Sequence, residues 1–291
     1  MEKRENEHAS PWTPSARELE RRQVRRAITK QKIIIASLSS LIVIGLLAAV
    51  VVTSPGFQVV RQTFFDFNYG QVVIKTVSRG ILVNLMLTIV ASILISFIAL
   101  VLALLRTTKS AALVPFRFLA TVYVDIFRGV PLLLVILLVG FGVPALRLTG
   151  MTNSVLVLGT IAVVLTYSAY VAEVIRSGIL SIHPSQRAAA RSLGLSQAQT
   201  MRHVVLPQAI SRVIPPLLND FVSLLKDTGL VSILGVTDAV RAAQIHASRT
   251  FNYTPYVVAA ILFLIITIPL TRYTDKALHR TYSAQNAQGE A

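Results

Sequence analysis

Residues 173–207 read EVIRSGILSIHPSQRAAARSLGLSQAQTMRHVVLP. The segment is polar and basic, and it lies between two apolar runs that are each long enough to cross a bilayer. Its internal pattern is helical. Pro184 suits the first position of a helix, where its missing N–H leaves nothing unsatisfied, and residues 185–193 are rich in Ala and Arg, strong helix formers. Gly194 ends that helix, because glycine adopts the left-handed conformation of a helix C-terminus without a Cβ clash. Ser196, with Gln199 three residues on, forms a capping box, so a second short helix is expected over about 197–205, stopping at Pro207. The pattern predicts two short helices joined by a tight turn outside the membrane. They present Ala188, Ala189, Ala190 and Gly194 where the backbone of another chain can come close.

The rest of the chain is apolar. Its 291 residues are 54% hydrophobic and 14% charged, against about a quarter charged in soluble domains, so an integral membrane protein is the default. Residues 33–52 carry no charge, and at 1.5 Å per residue they cover the roughly 30 Å hydrocarbon core. Further spans are expected at 81–105, 116–146, 154–175, 213–236 and 256–270, six in all, giving an all-α polytopic membrane protein. The third should kink at Gly129-Val130-Pro131 and the fifth should break at Pro215-Pro216. Residues 53–80, with Pro55-Gly56 and the aromatic Phe64, Phe65, Phe67 and Tyr69, are expected to form an extracytoplasmic interfacial loop. Residues 1–32 form a basic tail, helical from about Ala16, whose charged region and following apolar run are too long for a secretory signal. A solvated cytoplasmic extension and a basic helix on anionic lipid are its two readings. Residues 276–291 form a polar tail.

Six spans place both termini on one side, and charge says which. Of the 28 Lys and Arg residues, only Arg61, Lys75, Arg79, Arg147, Arg241 and Arg249 fall on the side opposite the N-terminus, and Arg128 and Lys226 fall within spans. The positive-inside rule then puts both termini and the 173–207 segment in the cytoplasm. The net charge of +15 is thereby accounted for by topology, and no nucleic-acid partner is expected.

Charges within spans are candidates for function, since each costs about 2.5–3.5 kcal/mol to insert and those retained usually face an interior or a partner. Glu173, Asn219, Asp220, Lys226 and Asp227 are the candidate translocation pathway. Lys226-Asp227 beside Thr228-Gly229 suits either a helix break lining a transport site or an ion pair seating one helix on another. Asn219 and Asp220, close to the double proline, leave the same two readings open. Asp125 and Arg128, near the end of their span, read as snorkelling side chains, and Glu173 and Arg176 are spaced to pair on one helix face. The chain holds no cysteine, no G-x-x-x-x-G-K-[ST] phosphate loop and no histidines at ligand spacing, so neither thiolate metal sites nor ATP hydrolysis is expected of it.

Ala189, Ala190 and Gly194, followed by VVLP at 204–207, resemble the EAA loop of the membrane subunits of ABC importers, roughly E-A-A-x3-G-x9-I-x-L-P. Ala188 stands where that family has Glu, and Val204 where it has Ile. Three further stretches resemble the branch that imports polar amino acids of the histidine, glutamine, glutamate or arginine type. They are YVDIFRGVPLL at 123–133, AYVAEVIRSGI at 169–179 and LLKDTGLVS at 224–232, against Y-x-E-x-x-R-G-T-P-L-L, A-Y-x-A-E-x-x-R-G-G-I and L-L-K-D-T-S-L-V-S. The resemblance implies a five-span core over 81–275, with 33–52 an extra span. It implies a coupling loop at about 176–206, with Gln186, Ala188, Ala189, Ala190, Gly194, Leu206 and Pro207, that docks on a dimeric cytoplasmic ATPase. It further implies an extracytoplasmic solute-binding protein, a second permease subunit, a place in the bacterial cytoplasmic membrane, and no cofactor on this chain, ATP and Mg²⁺ being used by the ATPase. The alternative, an ion-coupled secondary transporter or channel, predicts repeated halves, and none is evident between 33–150 and 151–270.

Overall fold

The computed structural model describes residues 15–108 and 110–289, all of whose regular structure is helical. The chain divides into two units, Met1–Arg61 and Gln62–Ala291. Of the basic tail expected at 1–32, residues 1–14 lie outside the described residues, as do Lys109 of the short basic turn and residues 290 and 291 of the C-terminal tail.

The first unit is dominated by α1 (Ala16–Thr53), whose start is capped by Ser15 accepting the Glu18 N–H. Its portion Ile28–Thr53 is long and apolar enough to cross a membrane.

The second unit begins within α2 (Phe57–Phe64) and continues into α3 (Phe67–Thr107), 41 residues long. The loop expected at 53–80 is therefore mostly helix. The expectation counted aromatic and glycine content, whereas Val73, Val77 and Ile81, four apart, form one buried helical face, and Asp66 caps the new start by accepting the Tyr69 N–H at 3.0 Å. A 3₁₀ turn at Ala111–Leu113 leads into α4 (Val114–Gly129). The chain then bends by 105° into α5 (Leu132–Leu137), which runs through a π-turn, Leu138–Gly142, into α6 (Val143–Ala145). The kink stands where Gly129 and Pro131 predict it, because proline cannot continue the hydrogen-bond ladder.

The centre of the unit is α7 (Val155–Leu180). Its Ala162, Ala169 and Ala172 share a core with Ala91 and Ala99 of α3, small residues that let helices without a hydrophobic drive between them approach closely. After it come α8 (Pro184–Ser192), α9 (Gln197–Thr200) and a π-turn, Met201–Val205, that passes directly into α10 (Leu206–Asp227). Two expectations change here. Pro207 does not stop the second helix; it sits in the first turn of α10, where a missing N–H is harmless. Nor do Pro215 and Pro216 break the fifth span. Buried Val213, Pro215, Val222, Leu224 and Leu225 hold the helix through them, and the break falls later, at the 3₁₀ segment Thr228–Leu234, closed by Gly235 at φ +95°.

Next, α11 (Ala239–Thr250) and α12 (Thr254–Gly289) pack on the first half of α3 through Ala239, Ala242, Ala243 and Ala259. Gly80 is required there: a Cβ on it would lie 2.4 Å from the Ala239 backbone nitrogen. Beside it Asn84, fully buried, donates to Asp238 at 3.0 Å and Thr228 at 3.3 Å and accepts the Ala239 N–H. At the opposite end of this contact the Asp66 N–H donates to Thr254, and the Tyr253 N–H to the Thr63 carbonyl.

Among the described residues four helices are long and apolar enough to span a membrane, and the bent α4–α6 pair makes a fifth. The fifth expected span, 213–236, falls on α10 and the 3₁₀ segment and is not among them. Asn219, Asp220, Lys226 and Asp227 make it too polar to stand alone in lipid.

Candidate coupling hairpin and membrane cavity

The segment 173–207 folds, past the end of α7, as a capped hairpin. His183 accepts the Ser185 N–H to start α8. Gly194 ends the arm at φ +85° with its N–H on the Arg191 carbonyl, and the Leu195 N–H reaches the Ala190 carbonyl, the hydrogen-bond closure typical of a left-handed helix end. The capping box is complete: Ser196 Oγ accepts the Gln199 N–H, and Gln199 Oε1 accepts the Ser196 N–H at 2.8 Å.

Two arginines anchor the hairpin to its neighbours. Arg187 donates to the Ile179 carbonyl at 2.6 Å and Arg212 to the Ser181 carbonyl at 2.7 Å, so cations from α8 and α10 satisfy the orphan carbonyls and negative dipole end of α7. Beneath them Ile179, Ile182, Val205 and Ala209 form a small apolar core. Gly178 lets α10 lie directly on α7, since a Cβ there would meet Val213 Cγ2 at 2.1 Å. The hairpin is thus tied to the end of α7, and α7 to α10.

Of the predicted docking residues, Gln186, Ala188, Ala189, Gly194 and Pro207 are exposed and Leu206 is half-buried. Ala190 is not presented outward; at 4% exposure it is buried within the hairpin, because it faces inward on α8 while its two alanine neighbours face out. Leu193 is 83% exposed at the tip, an apolar side chain that the sequence reading passed over.

The predicted pathway residues separate into three places. Asp220 lines a cavity of about 300 Å³ between α3, α7 and α10, together with Ser92, Ser96 and Tyr167. One of its carboxylate oxygens, Oδ2, is buried with no hydrogen-bond partner among the described residues. Asp227 joins the same region indirectly, accepting the Tyr167 hydroxyl at 2.7 Å. Asn219 and Lys226, seven residues apart, share an exposed face of α10 and do not line this cavity. Lys226 forms no ion pair with Asp227, since adjacent helical residues point in different directions. Glu173 does not line the cavity either. It accepts from Arg106 of α3 at 2.6 Å and, bidentately, from Arg176, with Arg128 at 3.8 Å, a charge-assisted clamp joining the ends of α3, α4 and α7. The Glu173–Arg176 pairing was legible from their spacing. Arg106 and Tyr167 were not, being 67 and 60 residues from their partners.

A family described as the binding-protein-dependent transport system inner membrane component matches residues 110–280. The chain belongs to this family. The permease is 38% identical over 174 residues to the probable glutamine ABC transporter permease protein GlnM of Bacillus subtilis (strain 168), a match covering 58% of this chain and 78% of that one. It is 31% identical over 216 residues to the arginine transport system permease protein ArtQ of the same organism, covering 74% and 96%. A crystal structure of an amino acid ABC transporter with histidines superposes with a TM-score of 0.68 at 32% identity, covering 74% of this permease and 98% of that chain. The methionine transporter MetNI in an inward-facing form, at 19% identity and a TM-score of 0.58, shares the fold. The permease is thus a membrane-embedded subunit of an ABC importer.

Proposed function

We propose that this permease carries a polar amino acid across the bacterial cytoplasmic membrane by alternating access, driven by ATP hydrolysis in a separate dimeric subunit that grips the 184–207 hairpin from the cytoplasm. The observation that carries the reading is that the helices anchored to the hairpin, α7 and α10, also wall the cavity holding Asp220. ATP binding shifts a conformational equilibrium only through differential contact with its two states. The exposed Ala188, Ala189, Leu193 and Gly194 surface offers that contact to a partner backbone.

The unpartnered Asp220 oxygen, with the Ser92, Ser96 and Tyr167 hydroxyls, suits a small zwitterion whose ammonium group replaces the missing partner. Asp227 holds the Tyr167 hydroxyl in position. Substrate would arrive from an extracytoplasmic binding protein, a second permease subunit would complete the pathway, and the chain itself would bind neither ATP nor Mg²⁺. The relatives named for glutamine and arginine support the substrate class, and the positive-inside count supports the cytoplasmic hairpin.

The test is ATP-dependent uptake of labelled glutamine and arginine into proteoliposomes holding the permease with its ATPase and binding protein. Gly194→Asp should abolish uptake while leaving ATPase activity and membrane insertion in place. Unimpaired uptake by that variant refutes the coupling role, and uptake by the permease alone on an ion gradient refutes the importer reading. Asp220→Asn should lower uptake at least tenfold if it loses an interaction of about 1.4 kcal/mol.

A further inference from the structure

Beside the Glu173 clamp, and apart from the cavity of Asp220, a second recess of about 380 Å³ lies open on one side. It is lined by Arg106 of α3, by Val114, Arg117, Phe118 and Thr121 of α4, and by Arg176 of α7. Three guanidinium groups from three helices line one space. The carboxylate among them, Glu173, is already engaged by Arg106 and Arg176. Arg117 has no carboxylate within ion-pair distance among the described residues, and its hydrogen bond goes to the Thr108 carbonyl at 3.2 Å. Holding Glu173 does not require Arg117, so the recess carries more positive charge than its own carboxylate balances.

The walls indicate the kind of anion that fits. Guanidinium forks match the geometry of phosphate oxygens, and Thr121 adds a hydroxyl. Directly beside these groups Val114 and Phe118, 44% and 66% exposed, form an apolar flank on a helix that belongs to a membrane span. A cationic floor meeting an apolar flank at the end of a span has the layout of a phospholipid's junction between headgroup and acyl chain. A soluble phosphate would use the floor alone and leave the flank without a role.

We propose that this recess holds the phosphate of an anionic phospholipid in the leaflet on the hairpin side of the membrane. The lipid clasps α3, α4 and α7 where the Glu173 clamp joins them. The inference does not depend on the substrate or on coupling, because its readout is lipid retention.

Full-length permease, purified and stripped of lipid in mild detergent, is titrated with phosphatidylglycerol or phosphatidylcholine, and bound lipid is counted by native mass spectrometry. The expected result is selective retention of phosphatidylglycerol. Arg117→Gln should weaken it about fivefold, the worth of one cationic contact at a lipid surface, with phosphatidylcholine unaffected, while Arg117→Lys, which keeps the charge but loses the fork, weakens it less. Equal retention of the two lipids by the unaltered permease overturns the proposal whether or not the variants fold. So does Arg117→Gln binding phosphatidylglycerol as the unaltered chain does. Displacement of the bound lipid by millimolar inorganic phosphate overturns the lipid assignment in favour of a soluble phosphate.

Discussion

At the scale of single residues, positions that tolerate no substitution are those where backbones meet or a buried polar group depends on one partner. Gly80 is of the first kind: the Cβ of an alanine would lie within 2.6 Å of three backbone atoms of Asp238 and Ala239, none of which can swing aside. Gly80→Ala should therefore destabilise the purified permease by about 1–3 kcal/mol, visible as a lowered melting temperature in detergent. Asn84 is of the second kind. Replacing it with Leu leaves the buried Asp238 carboxylate and the Ala239 N–H without a side-chain partner, at a cost of about 1–3 kcal/mol or more. Asn84→Asp should be worse than Asn84→Leu, since it sets two carboxylates together in a site with no cation; the same melt decides between them. Neither consequence was legible in the sequence. Asn84 interrupts an apolar run of sequence, but its partner lies 154 residues away.

At the scale of elements, the hairpin is assembled from local signals, and its caps should behave as local devices. Ser196→Ala removes the side-chain acceptor of the Gln199 N–H and should cost about 1 kcal/mol of helix stability. Hydrogen exchange should then quicken over 197–205 while the core of α7 stays protected. Quickened exchange throughout α7 would mean the hairpin is not a separable unit. Arg187→Ala acts differently, because it frees the Ile179 carbonyl at the end of α7. It should loosen the seating of the hairpin and reduce transport per ATP hydrolysed with less effect on substrate affinity. Nearly all of this element could be read in advance, since Pro184, Gly194 and the Ser196–Gln199 box act within a few residues of themselves. What escaped was continuity at its end. A proline reads as a stop or as a start according to what packs beside it, and Val205, Ala209 and Val213 make Pro207 a start.

At the scale of the whole molecule, the buried members of the three apolar clusters all lie beyond residue 72. A chain starting at residue 62 should therefore keep a melting temperature within a few degrees of the full-length permease. A loss of more than about 10 °C, well over 1 kcal/mol for a chain of this size, would show that residues 1–61 contribute to core stability. The 105° turn at Gly129–Pro131 also matters at this scale, because it lays α5 against α7. The six-span expectation and the structure part company at α10. A window of hydropathy treats each helix as if lipid surrounded it, whereas Asp220 and Asp227 lie where α3 and α7 shield them.

The amino-acid sequence by itself determined the class of protein, the run of apolar helices, the kink before α5 and the form of the hairpin. These depend on composition, on periodicity and on caps and breakers, which act over a few residues. Tertiary structure decided which charges share a space. It separated Glu173 from Asp220, gave Asp227 to Tyr167, turned Lys226 outward and gathered Arg106, Arg117 and Arg176 around one recess. Such groupings depend on how helices distant in the chain are rotated and stacked, and that is set by close contacts such as Gly80 on Ala239 and Gly178 on Val213.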